Sequence, residues 1–187
     1  MSERVVVVGA DAAGMSAASQ AKRMRGDDLE VVALERGSHT SYSACGIPYW
    51  IGGDVESVDD LVARTPEQHR ANGIDLRLRS EATALDMDRR EVEVRDHDGD
   101  RTYRVGFDHL VLATGARPRR PDMPGIDAPG VLGVQTLDDG ERALAALQER
   151  GLVVRLGRGR YDFVEPMFGE YVRRLDEGLV GGTVSMR

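Results

Sequence analysis

Cysteine occurs once in this sequence, at Cys45, so no internal disulfide framework can form. No second cysteine or histidine stands at ligand spacing to it, so no metal site is expected. Long apolar runs are also missing. Residues 5–8 form the first one, which is far too short for a signal peptide or a bilayer span and runs into a glycine turn. The expectation is a cytoplasmic chain with no membrane partner. An excess of basic charge is lacking too: the net charge is −7, which argues against nucleic acid as the main partner. Lys22 is the only lysine against many arginines, which reads as codon bias rather than chemistry. The local cluster Lys22, Arg23 and Arg25 could meet a small phosphate ligand, or be a solvated helix end. Repeats and low-complexity tracts are absent.

What remains is an ordinary core-forming composition, 41% hydrophobic over 187 residues, enough for one large domain or one domain plus a fragment. Residues 5–8 are all valine, the pattern of a buried parallel strand. A turn over 9–14 and an alanine-rich helix over 15–24 follow, then a second buried strand over 29–34. This is a βαβ unit. Residues 38–53 read as a loop with a short helix after Cys45. Thr65 and Pro66 open another helix as N-cap and first helical residue. Runs over 75–85, 91–95 and 101–105 alternate, with the turn signal Asp98-Gly99 between the last two, and predict a three-stranded antiparallel meander. A third buried strand is expected over 110–113, a proline-rich connector over 118–129, a helix over 136–150 capped by Thr136 or Asp138, and a last apolar run over 152–156.

Three constellations carry chemistry. The first is Gly9-Ala10-Asp11-Ala12-Ala13-Gly14. A dinucleotide turn needs glycines for a tight bend and close approach to pyrophosphate, with helix N–H groups facing the phosphates. Gly9 and Gly14 hold the outer positions, but Asp11 replaces the middle glycine. Taken alone, the segment fits an ordinary strand–turn–helix as well. Glu35, at the end of the second strand, is placed to accept both hydroxyls of an adenosine ribose; a surface acid is the alternative. The second constellation is Cys45 within Ser41-Tyr42-Ser43-Ala44-Cys45-Gly46-Ile47-Pro48-Tyr49. A lone cysteine is often a small buried hydrophobe. Here Gly46 permits close ligand approach, and a helix starting next to Cys45 would favour its thiolate. The third is Ala113-Thr114-Gly115-Ala116-Arg117-Pro118, a strand end small enough for backbone to pass near a cofactor, though ordinary by itself.

In this order, with a meander between, the pieces resemble the pyridine nucleotide–disulfide oxidoreductases, and within them the coenzyme A–disulfide reductase group with its NADH oxidases and persulfide reductases. The resemblance covers residues 1–150. It implies an α/β fold: a Rossmann-like FAD-binding domain, a parallel sheet with helices, carrying a three-stranded antiparallel β-meander insertion. It implies FAD contacts at Gly9, Ala10, Ala13, Gly14, Glu35, Arg36, Ala113, Thr114 and Gly115. It makes Cys45 the redox-active residue, and places Ser16, Gln20, Arg23 and Ser41 where coenzyme A–disulfide reductases contact coenzyme A. The implied activity is reduction of a small-molecule disulfide or persulfide with NAD(P)H, in a homodimer when full length. Ala44 stands where some coenzyme A reductases have asparagine, which leaves the substrate open.

The resemblance ends near residue 151. Relatives are more than twice as long and continue into an NAD(P)H domain. In this chain Gly157-Arg158-Gly159-Arg160-Tyr161-Asp162 follows the apolar run, with Asp162 at the third glycine position. A helix over 164–175 would contain Pro166 and Gly169, against the needs of a nucleotide-binding helix. Residues 151–187 are therefore read as the start of a degenerate or truncated NAD(P)H unit, or as an unrelated tail. A truncated, inactive flavin-binding fragment and an NADH oxidase or peroxidase are the alternative functions.

Overall fold

A computed structural model describes residues 2–157 and 159–164. The strands are β1 (Glu3–Val8), β2 (Leu29–Leu34), β3 (Ile74–Arg77), β4 (Ser80–Asp86), β5 (Glu91–Asp96), β6 (Arg101–Gly106), β7 (His109–Leu112), β8 (Val153–Gly157) and β9 (Arg160–Phe163). The α-helices are α1 (Ala12–Arg25), α2 (Ile47–Gly52), α3 (Pro66–Ala71) and α4 (Leu137–Glu149). The chain divides into two compact units, Met1–Ser43 with Val62–Arg119, and Ala44–Leu61 with Arg120–Arg187.

The first unit is built on a parallel sheet of order β3-β2-β1-β7. β1 is central, and its four valines, residues 5–8, bury both faces. Val5 and Val7 pack with Met15 and Ala18 of α1 and with Val31 and Ala33 of β2. Val6 and Val8 pack on the other face with Val92, Val94 and Val105 of the antiparallel β4-β5-β6 sheet. The layers are helix, parallel sheet and meander, as the unalternating strands and the alternating meander predict.

Two expectations are corrected here. The run over 75–85 is not one meander strand. It breaks at Arg79, whose φ of 54° turns the chain. Residues before the break form β3, paired in parallel with β2, and residues after it form β4. Ile74 and Leu76 point into the α1-side core, and an edge strand with one covered face alternates like a meander strand. The strand expected as buried over 110–113 is instead β7, the other edge of the sheet, with Leu112 61% exposed.

In the second unit α2 and α4 pack together. Gly140 of α4 lies against Trp50, where an added Cβ would come within 2.7 Å of the indole. Trp50 Nε1 donates to the Gly159 carbonyl at 2.7 Å. Thr136 caps α4 in a capping box with Asp139. The segment over 153–163 is a β-hairpin, with β8 and β9 antiparallel. Gly157–Asp162 thus turns strand to strand rather than strand to helix. The helix expected over 164–175 lies, beyond Val164, outside the described residues. Among the described residues no helix is long and apolar enough to cross a membrane.

Candidate functional site

The C-terminal ends of β1, β2 and β7 bring together Gly9, Glu35 and Ala113–Gly115, which are far apart in sequence. β1 leads through α1 to β2 on one side and has β7 on the other. That is the switch point at which open parallel sheets bind ligands. Both outer glycines are required. Gly9 has φ +96°, and a Cβ there would lie 2.2 Å from the Ala113 carbonyl oxygen. A Cβ on Gly14 would lie 1.8 Å from the Gly9 carbonyl oxygen. The turn and the first turn of α1 therefore close tightly, with the β7 end laid over them; Ala113 N–H donates to the Val8 carbonyl at 2.8 Å.

No side chain caps α1. Met15 N–H donates to the Asp11 carbonyl at 2.8 Å, so the amides of Ala12, Ala13 and Gly14 precede the first helical bond. Ala12 and Ala13 are exposed. This end of α1 suits an anionic pyrophosphate. Asp11, the residue replacing the middle glycine, turns its carboxylate to the Tyr42 N–H at 3.3 Å. Burial pushes the Asp11 carboxyl above its ordinary value, against the hydrogen bonds it accepts from backbone amides. Glu35 is half-buried: Oε2 accepts from Ala10 N–H at 2.9 Å and Oε1 from Gly37 N–H at 2.8 Å. A carboxylate has about four acceptor sites, so it retains capacity for a ribose hydroxyl. Arg36, Thr114 and Gly115 are exposed beside these strand ends. The chemistry fits a dinucleotide such as FAD: a helix end for pyrophosphate, an acceptor carboxylate, and backbone too close for side chains.

A cleft of about 620 Å³ lies beside α1 in the same unit. It is lined by Ser16, Gln20, Arg23 and Ser41, and also by Arg64 and His69. The four residues singled out from sequence for coenzyme A thus line one cleft, three from α1 and Ser41 from the loop after β2. Arg23 donates to Gln20 Oε1 at 2.6 Å. Ser41 has φ 50°, and its carbonyl accepts from Ala63 N–H at 2.8 Å. His69 is held on α3 by a capping box between Thr65 and Gln68. It is 2% exposed, and its Nε2 lies 2.9 Å from Ser41 Oγ. His69, Arg64 and the tie from Asp11 to Tyr42 carry no motif that marks them in the sequence. The signal for His69 was slight: a histidine one turn into a capped helix, where a core residue belongs.

Cys45 sits in the second unit, in a 3-10 turn (Ala44–Gly46) that runs into α2. It is exposed, so the small-buried-hydrophobe reading does not hold.

Three comparisons bear on identity. The chain is 35% identical to the NADH oxidase of Methanocaldococcus jannaschii over 92% of its own length and 39% of that protein's. It is 39% identical to the coenzyme A-dependent NAD(P)H sulfur oxidoreductase of Pyrococcus abyssi over 68% of its length and 27% of that protein's. Among solved structures, the reduced CoADR-RHD of Bacillus anthracis superimposes with a TM-score of 0.75 at 30% identity, covering 80% of this chain and 27% of that one. The chain therefore spans between about a quarter and two fifths of the length of these relatives. With residues 3–159 also matching the family model for pyridine nucleotide-disulphide oxidoreductases, the arrangement of strand ends at the switch point has a family to explain it: the chain belongs to the pyridine nucleotide-disulphide oxidoreductases.

Proposed function

We propose that this chain is the flavin-binding part of an oxidoreductase that reduces a coenzyme A-type disulfide or persulfide through Cys45, with NAD(P)H as reductant in the whole protein. The observation that carries the reading is the cleft that Ser16, Gln20, Arg23 and Ser41 all line. Its volume suits a small organic ligand, and Arg23 and Arg64 supply cations for phosphate.

FAD would be held by Gly9, Ala10, Ala13, Gly14, Glu35, Arg36, Ala113, Thr114 and Gly115. When bound, it would carry electrons between a nicotinamide and sulfur. The chain's own residues do the rest. The α1 amides would orient the pyrophosphate, and Glu35 would hold the adenosine ribose while fixing Ala10 and Gly37. The Cys45 thiolate would attack a disulfide sulfur, forming a Cys45 mixed disulfide and releasing the other half as a thiolate that takes up a proton.

The test uses the chain itself. Mix it with coenzyme A disulfide, follow the Cys45 adduct by intact mass, and count released thiol. One adduct and one thiol per chain are expected, faster than with glutathione disulfide. Equal rates for the two disulfides would remove the coenzyme A reading. The 92% coverage of the Methanocaldococcus NADH oxidase match favours a second reading, with oxygen as acceptor. Oxygen uptake on adding NADH to flavin-loaded protein without any disulfide would support it.

A further inference from the structure

The imidazole of His69 is buried, and among the described residues its Nδ1 has no hydrogen-bond partner. Only Nε2 is engaged, 2.9 Å from Ser41 Oγ. Burial, and then the nearby Arg64 guanidinium, hold the ring below its ordinary value, which favours the neutral form. A neutral imidazole carries one N–H. If that proton sat on Nδ1, a buried donor would face no acceptor, the costly arrangement. On Nε2 it is used, and Nδ1 keeps only an unbonded lone pair.

We propose that His69 is a positioning residue for the cleft: its Nε2–H donates to Ser41 Oγ, freeing the Ser41 hydroxyl proton to donate to a ligand. The cleft then selects a ligand that presents an acceptor oxygen, phosphate or carbonyl, at Ser41. The surroundings agree. Arg23 and Arg64 in the lining favour an anionic oxygen, and the one carboxylate there, Asp11, is turned to the Tyr42 N–H. The Ser41 backbone is tied to Ala63, whose N–H donates to the Ser41 carbonyl, so the side chain extends from a fixed point. The proposal rests on reading the cleft as a ligand site.

Two measurements test it. Ring ¹⁵N shifts of His69 at pH 7 should report the neutral Nε2–H tautomer. An Nδ1–H tautomer, or an imidazolium, overturns the proposal. Calorimetric titration with coenzyme A should show Ser41→Ala and His69→Phe each weakening binding about tenfold, the size of one lost hydrogen bond to a charged acceptor. The double variant should be no worse than either single. His69→Gln, which keeps an N–H near Nε2, should recover most of the affinity. Wild-type affinity in a folded His69→Phe protein, with Ser41→Ala weakened, overturns the proposal. If His69→Phe does not fold, the ring spectrum and the Gln variant decide. A wild-type chain with the Nε2–H tautomer but no affinity for coenzyme A contradicts the coenzyme A reading and supports the donor assignment.

Discussion

Replacing Glu35 by alanine removes two hydrogen bonds at the centre of the nucleotide turn. One side-chain oxygen accepts from Ala10 N–H at 2.9 Å and the other from Gly37 N–H at 2.8 Å. Hydrogen bonds to a charged partner contribute about 1.5–3 kcal/mol each. The two are not equal here. Ala10 is fully buried, so its amide cannot turn to water, whereas Gly37 is half-buried and can be rehydrated. The expected loss of stability is therefore about 2–4 kcal/mol, most of it from Ala10. At a urea slope of about 2 kcal/mol per molar, the midpoint followed by circular dichroism falls by about 1–2 M. Glu35→Gln keeps one acceptor and presents its amide NH2, a donor, to the other N–H, so its loss should be intermediate. FAD affinity should fall as well, by about 1–3 kcal/mol, if the remaining acceptor capacity serves the ribose. A Glu35→Ala protein that unfolds at the wild-type urea concentration and retains flavin equally would refute the reasoning, leaving Glu35 a surface acid.

Three further outcomes are expected. Thr65→Ala breaks the α3 capping box and should cost about 1 kcal/mol in urea unfolding. The buried His69 has its folded-state value below the unfolded one, so protons bind the unfolded chain more readily as pH falls through about 6.5. Stability should accordingly be full above that pH and decline below it. Thermal unfolding from pH 7 to 5.5 should show that His69→Phe loses part of the slope, and an unchanged slope would contradict the burial argument. Cys45→Ser should abolish the coenzyme A adduct measured by intact mass while leaving FAD affinity unaltered. A lost flavin signal in that variant would mean that Cys45 matters for structure rather than for sulfur chemistry.

The β1–α1–β2 unit was legible because its signals are local: four consecutive valines, glycines at 9 and 14, and an acid closing the second strand. The capped starts of α3 and α4 were legible for the same reason, since Thr65 and Thr136 act within one turn of themselves. What failed depended on distant partners. Arg79 takes a left-handed conformation that residue type does not announce, so the break between β3 and β4 was hidden in one alternating run. Leu110 and Leu112 look like core, but the strand they belong to is the edge of the sheet. Gly157 and Gly159 suit a nucleotide turn and a hairpin alike, and the pairing of β8 with β9 decided between them. His69 became part of the site only through Ser41, 28 residues away in sequence.

Whether the first turn holds FAD is decided by titrating the purified chain with FAD and, separately, with NAD, following flavin fluorescence and heat of binding. Saturable one-to-one binding of FAD is expected, with weak or no binding of NAD, and loss of the FAD signal in Gly14→Val, whose side chain would collide with the Gly9 carbonyl. Tight binding of NAD with none of FAD, or flavin binding that survives Gly14→Val in a folded protein, would contradict an FAD site at the first turn.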